Sequence, residues 1–331
     1  MSATLSNHFN QPGIGLGCMN LSHAYGTPLS EEDAIRALQQ AFDMGYRHFD
    51  TATLYGGGRN ETVVGKALKE QRQTLFLASK CGMAINPERG VKEIDGRPET
   101  LRAQCEASLR RLQTDHIDLY YLHRLDPNTP IEDSVGALAE LVREGKIGAI
   151  GLSEVSAATL KRAQAVHPIA ALQTEYSLWS RNAEIAVLDA CRDSGTAFVA
   201  FSPLARGFLT NTLLDVTGLV EKDIRNNMPR FHQDNYQQNI KLLDGYITIA
   251  NEVGCTPAQL ALAWVKSKGD FIVPIPGTRS VEHMQENLAA APLQLTTDTV
   301  ARLDALINQD SVHGTRYNAA QQAEIDTEEF A

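Results

Sequence analysis

The chain alternates between short apolar runs of strand length and longer stretches with the period of a helix. Leu75 to Lys80, Ile117 to His123, Ile147 to Ser153, Ala170 to Gln173, Thr196 to Pro203 and Phe271 to Ile275 read as strands that bury both faces. Gly13 to Cys18 and Tyr46 to Ala52 complete a set of eight, centred near residues 14, 47, 77, 119, 149, 171, 198 and 273. Between them the pattern predicts helices. Ser30 caps an amphipathic segment with an acidic first turn, running to Met44 and ended by Gly45. Further helices are expected over 60–70, 99–112, 130–144, 156–166, 182–193, 239–253 and 256–267, with one more capped by Ser280. A last helix, 297–307, has no strand after it and reads as a C-terminal addition.

Strands that alternate with helices argue a parallel sheet covered on both faces. Eight such units argue closure, a (β/α)8 TIM barrel in a single domain spanning 1–331, rather than an open doubly wound sheet. A long polar stretch from Ala205 to Tyr236 interrupts the alternation after the seventh strand. The glycines of Gly13-Ile14-Gly15-Leu16-Gly17 do not follow G-x-G-x-x-G and open no helix, so a Rossmann-type fingerprint is rejected.

Composition narrows the partners. The 331 residues carry a net charge of −10, which speaks against nucleic acid or an anionic membrane. No apolar run approaches a membrane span, and residues 1–11 lack an apolar signal core. Five cysteines, Cys18, Cys81, Cys105, Cys191 and Cys255, have no paired spacing and read as reduced thiols of a cytoplasmic protein.

Reactive side chains collect at the ends of the strand runs. Asp50 and Tyr55 follow the second, Lys80 ends the third, His123 the fourth, Ser153 and Glu154 the fifth, Gln173 the sixth and Ser202 the seventh. A barrel brings these ends to one rim. There a lysine cation favours a tyrosine phenolate, an aspartate keeps the lysine charged, and a neutral histidine orients a substrate oxygen. That set can protonate a carbonyl oxygen while hydride reaches carbon; no side chain supplies hydride, so a nicotinamide cofactor is implied. His48 and Asp50, two apart on one strand face, offer a competing reading as metal ligands of a barrel hydrolase or isomerase. It requires further inward histidines, and only His123 is available, so it ranks second and no metal is expected.

Phe49-Asp50-Thr51-Ala52 with Tyr55-Gly56, Ser79-Lys80 and Asp118 to His123 resemble the aldo-keto reductases. So do Gly148 to Ser153, Gln173 to Ser177, Phe201 to Leu204 and Pro274 to Arg279, in the family's order and spacing. The resemblance implies that Asp50, Tyr55, Lys80 and His123 form a catalytic tetrad with Tyr55 as general acid. It implies that Ser153, Glu154 and Gln173 hold a nicotinamide carboxamide, that Phe201 stacks on its ring, and that Ser202, Pro203, Leu204 and Gly207 follow the pyrophosphate. Gly17, Cys18 and Met19 would face the cofactor beside Asp50. Pro276, Gly277, Thr278, Arg279, His283, Glu286 and Asn287 would hold its adenosine end, Arg279 on a 2′-phosphate. The implied cofactor is NADPH or NADP+ in preference to NADH. The implied activity is that of an NADP-dependent alcohol dehydrogenase acting on a small carbonyl substrate. Glu154 stands where many members have Asn, Gly277 where many have Lys and His283 where many have Arg. The polar segment before Gly13 is not expected to form the hairpin that usually plugs the barrel bottom. Relatives that pair with channel proteins leave a non-catalytic, cofactor-sensing subunit as an alternative.

Overall fold

Strands form where the apolar runs predict them. The computed structural model describes residue 5, residues 9–86 and residues 88–330. Its large sheet contains β1 (Leu16–Gly17), β2 (His48–Asp50), β3 (Phe76–Cys81), β6 (Ile117–Leu122), β7 (Ile147–Ser153), β8 (Ile169–Glu175), β9 (Ala197–Phe201) and β10 (Ile272–Ile275). These eight lie in that order, each parallel to its neighbour. The first and last meet through Gly15 N–H on Pro274 O at 3.0 Å and a parallel bridge between Gly17 and Gly277. The sheet therefore closes into the expected (β/α)8 barrel. Glycine is required at this seam: a Cβ on Gly15 would lie 2.9 Å from the Ile275 side chain, and one on Gly17 would lie 2.9 Å from the Ile275 carbonyl.

Helices α1 (Glu31–Met44), α2 (Arg59–Leu68), α3 (Pro98–Leu112), α4 (Ile131–Arg143), α5 (Ala157–Gln164) and α6 (Val187–Ser194) cover the first part of the barrel. After them come α7 (Gln233–Asn239), α8 (Leu242–Val253), α9 (Pro257–Ser267), α10 (Val281–Ala289), α11 (Thr297–Leu306) and α12 (Ala319–Gln322). The caps are those the sequence announces: Ser30 and Ser280 accept from Asp33 N–H and His283 N–H, and Thr256 forms a capping box with Gln259.

Three features depart from the sequence pattern. A two-stranded hairpin, β4 (Met83–Ile85) with β5 (Lys92–Ile94), stands where a plain loop is expected. The helix expected from Asn239 is broken there. The Asn239 amide is buried and exchanges hydrogen bonds with the backbone of His313, at 2.9 and 2.7 Å. The polar stretch 205–236 is built around an aromatic cluster, with Trp179 packed 3.9 Å from Phe208 and 5.4 Å from Phe231 between ring centroids.

Inside the barrel, positions two apart share a face. Read toward the C-terminal rim, those positions turn from apolar to polar: Phe76 and Ala78 precede Lys80, Leu119 and Tyr121 precede His123, Ala149 precedes Ser153, and Ala171 precedes Gln173. The lower layer packs as a core that includes Phe9, whose ring lies 5.1 Å from Phe76 and 5.1 Å from His48. Most of the segment read as lacking a hairpin, residues 1–4 and 6–8, lies outside the described residues.

Candidate active site

The upper layer of side chains floors a cavity of about 570 Å³ at the C-terminal rim. Asp50 ends β2 and Lys80 lies near the end of β3, both buried, and their side chains form an ion pair inside the barrel. Lys80 Nζ also donates to Thr51 O at 2.9 Å and reaches the Tyr55 hydroxyl at 3.4 Å. Gln173 Nε2 donates to the second Asp50 oxygen at 2.8 Å. Tyr55 stands on a single turn, Tyr55–Gly58, in which Gly56 and Gly57 hold φ of 59° and 63°. Those angles suit glycine and aim the phenol back over the barrel. The Tyr55 ring meets His123 edge-on at 5.8 Å.

The electrostatics set protonation states. Burial raises the Tyr55 hydroxyl above its ordinary range, and the Lys80 cation opposes it without prevailing. The phenol is therefore a protonated acid at neutral pH, not a phenolate. Burial works against the Lys80 cation, but Asp50 and Tyr55 hold its pKa above the usual lysine value. His123 is driven well below the usual histidine range by burial and by the cations of Arg124 and Lys80, and its Nδ1 has no partner among the described residues. A neutral imidazole that lines the cavity can donate an N–H to a carbonyl oxygen and orient it.

The rest of the rim set is distributed as follows. Gly17, Met19, Asp50, Tyr55, His123, Ser153, Gln173, Phe201, Ser202, Pro203, Leu204 and Gly207 line the cavity. Pro276, Gly277, Thr278, Arg279, His283, Glu286 and Asn287 line it as well. Lys80 sits behind Tyr55. Two expectations are corrected. Cys18 faces the packing between barrel and helices, where its thiol lies 3.6 Å from Leu16 O. Glu154 does not line the cavity. Its backbone takes φ of 57°, one oxygen accepts from Glu175 N–H at 2.9 Å, and the other is paired with Arg316. A buried guanidinium has claimed the carboxylate expected to face a carboxamide.

His48 belongs to the packed layer below the site. Its ring lies between Phe9 and Phe76, while Asp50, its partner in the metal reading, is bound to Lys80 and Gln173. Among the described residues no three His, Cys, Asp or Glu side chains gather to hold a metal. Burial lowers the His48 pKa to about 4. The unfolded chain takes up a proton near ~6.5 and the folded one only near 4, so stability is complete above pH ~6.5 and declines as pH falls toward 4. His48→Leu is expected to flatten urea-unfolding stability across that window. A slope unchanged from the parent would assign it elsewhere.

Comparison with known proteins bears on the set as a whole. The sequence profile of the aldo/keto reductase family matches residues 13–308. The chain belongs to the aldo/keto reductase family. A probable aldo-keto reductase of Glycine max is 41% identical over 314 residues, covering 93% of this chain and 89% of that one. The glycerol dehydrogenase of Gluconobacter oxydans superposes with a TM-score of 0.81 at 28% identity, over 88% of this chain and 90% of that one. An aldo-keto reductase of Klebsiella pneumoniae, solved in complex with NADPH, superposes with a TM-score of 0.71 at 30% identity, over 96% of this chain and 99% of that one.

In this aldo/keto reductase further cavity residues come from the loops, and those beyond α11 escape the sequence reading. Asn20, His23 and Tyr25 follow β1, Arg124 follows His123, Arg206 and Arg225 come from the long insertion, and Tyr317, Gln321, Glu324 and Ile325 come from beyond α11. The last group is held by buried charge. Arg316 pairs with Glu154 and, at 3.0 Å, with Glu175; Arg206 joins Glu175 at 2.7 Å and donates to the Tyr317 hydroxyl at 3.2 Å. Lys92 of the hairpin meets Glu324 at 2.6 Å. Nothing in the sequence pairs these arginines and glutamates, which lie far apart along the chain.

Proposed function

We propose that this aldo/keto reductase, acting through a single domain, reduces small aldehydes and ketones to alcohols with NADPH. The observation that carries the reading is one cavity bounded by Tyr55, with Lys80 behind it, and His123 on one side and by Thr278 to Asn287 on the other. Asn287 lines the cavity, and among the described residues both its amide atoms are buried without a partner, which suits a polar heterocycle such as adenine. Arg279 pairs with no carboxylate among the described residues and lies beside Ser280, the N-cap of α10, a position suited to a phosphate.

When bound, the nicotinamide supplies the hydride. Everything else falls to this chain. His123, neutral, donates to the carbonyl oxygen and fixes its direction. Tyr55 gives that oxygen a proton, and Lys80 steadies the phenolate left behind. Asp50 keeps Lys80 charged and in place. Ser153 and the Gln173 amide oxygen would hold the carboxamide, and Phe201 would cover the ring. Residues 202–207 would hold the pyrophosphate.

Fluorescence titration and loss of NADPH absorbance with an aromatic aldehyde test the reading together. Arg279→Gln is expected to weaken NADPH binding by about tenfold or more while leaving NADH nearly unaffected, since a charge-assisted contact to the extra phosphate is lost. Equal weakening of both would remove Arg279 from that role. Tight NADPH binding with no turnover of any carbonyl compound would favour a sensor over a reductase.

A further inference from the structure

One cation in the cavity has no task in this chemistry. Lys80 is paired with Asp50, Lys92 with Glu324, Arg206 with Glu175 and Arg225 with Asp223. Arg279 has no carboxylate among the described residues but stands at α10, four strands around the barrel from His123. Arg124 follows His123 directly and lines the same cavity as Tyr55. Its Nη1 donates to His123 O at 2.7 Å and contacts Ser153 Oγ at 3.3 Å. Among the described residues neither its Nε, which is buried, nor its Nη2 has a partner, so the Nη2 edge of the guanidinium is left for a ligand.

That edge is unusual in this chain. With 40 Asp and Glu against 30 Lys and Arg, carboxylates are in excess, and the other arginines lining the tetrad side of the cavity have them. Leaving a partly buried guanidinium edge unsatisfied costs free energy that a bound anion recovers. A guanidinium Nη2 donates a charge-assisted hydrogen bond that suits a carboxylate oxygen. The charge of Arg124 also acts on both Tyr55 and His123, which places it within Coulomb range of the reacting oxygen.

Resting on the carbonyl-reductase reading above, we infer that Arg124 is a substrate-anchoring residue and that the preferred substrates are carbonyl compounds that also carry a carboxylate. The carboxylate docks on the open edge while the carbonyl group lies against Tyr55 and His123. Arg124 thereby selects substrate without taking part in proton transfer.

The test compares 4-carboxybenzaldehyde with its methyl ester, which keeps the ring and aldehyde and removes the charge. The acid is expected to be the better substrate by about tenfold or more in kcat/KM, chiefly through KM. Arg124→Gln should lower that acid-to-ester ratio by a similar factor, and Arg124→Lys should restore part of it. Benzoate, compared with benzamide by calorimetry, should bind the parent protein and bind Arg124→Gln more weakly. An ester as good as the acid, or a ratio unmoved in Arg124→Gln, overturns the inference and leaves carbonyl reduction standing. If neither aldehyde consumes NADPH, the reductase reading fails. The benzoate arm then decides the anion site alone, and equal binding by parent and variant overturns it.

Discussion

Tyr55→Phe is expected to lower kcat for carbonyl reduction by at least ~10²-fold, the lower bound for a positioned acid, while the dissociation constant for NADPH stays near that of the parent. The substitution removes one oxygen and little else. The ring keeps its edge contact with His123 at 5.8 Å, its stack on His23 at 6.1 Å and the Lys80 ammonium 5.0 Å from its centroid. Among the described residues the hydroxyl's hydrogen bond is the long one to Lys80, at 3.4 Å, so the fold loses little. What disappears is the proton. Because burial raises the Tyr55 pKa, the acid form persists through neutral pH and reduction should be insensitive to pH there. Alcohol oxidation needs the phenolate and should rise with pH instead. A Tyr55→Phe protein that reduced benzaldehyde at close to the parent rate would sink the mechanism, whatever its cofactor affinity.

The second large effect is expected at Arg316→Met. The guanidinium is 5% exposed and serves two carboxylates, Glu154 and Glu175, themselves buried. Removing it strands Glu154 with a single backbone donor and leaves Glu175 to Arg206 and the Ser180 hydroxyl. Breaking a buried pair from one side typically costs ~3 kcal/mol or more, because the remaining charge is uncompensated. Urea unfolding should show that loss, and Glu154→Gln added to Arg316→Met should recover much of it by neutralising the stranded group. Acid behaviour follows from the same network. Despite burial, Arg206 and Arg316 hold the Glu175 pKa down to about 2. Its contribution to stability is therefore complete above the ordinary glutamate value of ~4.3 and is lost as pH falls from there through 2. The variant should be less sensitive to acid over that interval. Equal midpoints for parent and Arg316→Met would mean that desolvation of the three charges already offsets their attraction.

The barrel was legible because its strands are buried on both faces and bounded by capped helices. Phe76 to Cys81 and Ile169 to Glu175 can hardly be read otherwise. The rim was legible for a related reason: each inward row ends in a residue too polar for the layer below, and Lys80, His123, Ser153 and Gln173 mark those ends. Sequence failed where side chains are paired over long distances. Glu154 seemed free to face a ligand, yet its partner, Arg316, lies 162 positions away. Asn239 was read as an ordinary helix start, although its amide is spent on His313. The hairpin at Met83–Ile85 was missed because three-residue strands around a polar turn lack the length that makes a periodic signal. His48 shows the converse. Its spacing from Asp50 suggested shared chemistry, but two positions along a strand separate the packed layer from the reactive one.

The link between Lys92 and Glu324 has a consequence for how the protein is made. The chain emerges from its N-terminal end, so Asp50, Tyr55, Lys80 and His123 are all synthesised before the second half of the barrel exists. The wall that faces them, Tyr317 to Ile325, arrives after every strand of the barrel, and Lys92 waits on the hairpin until Glu324 appears. The reactive groups are thus synthesised early, and the segment that encloses them in a shaped pocket is synthesised last.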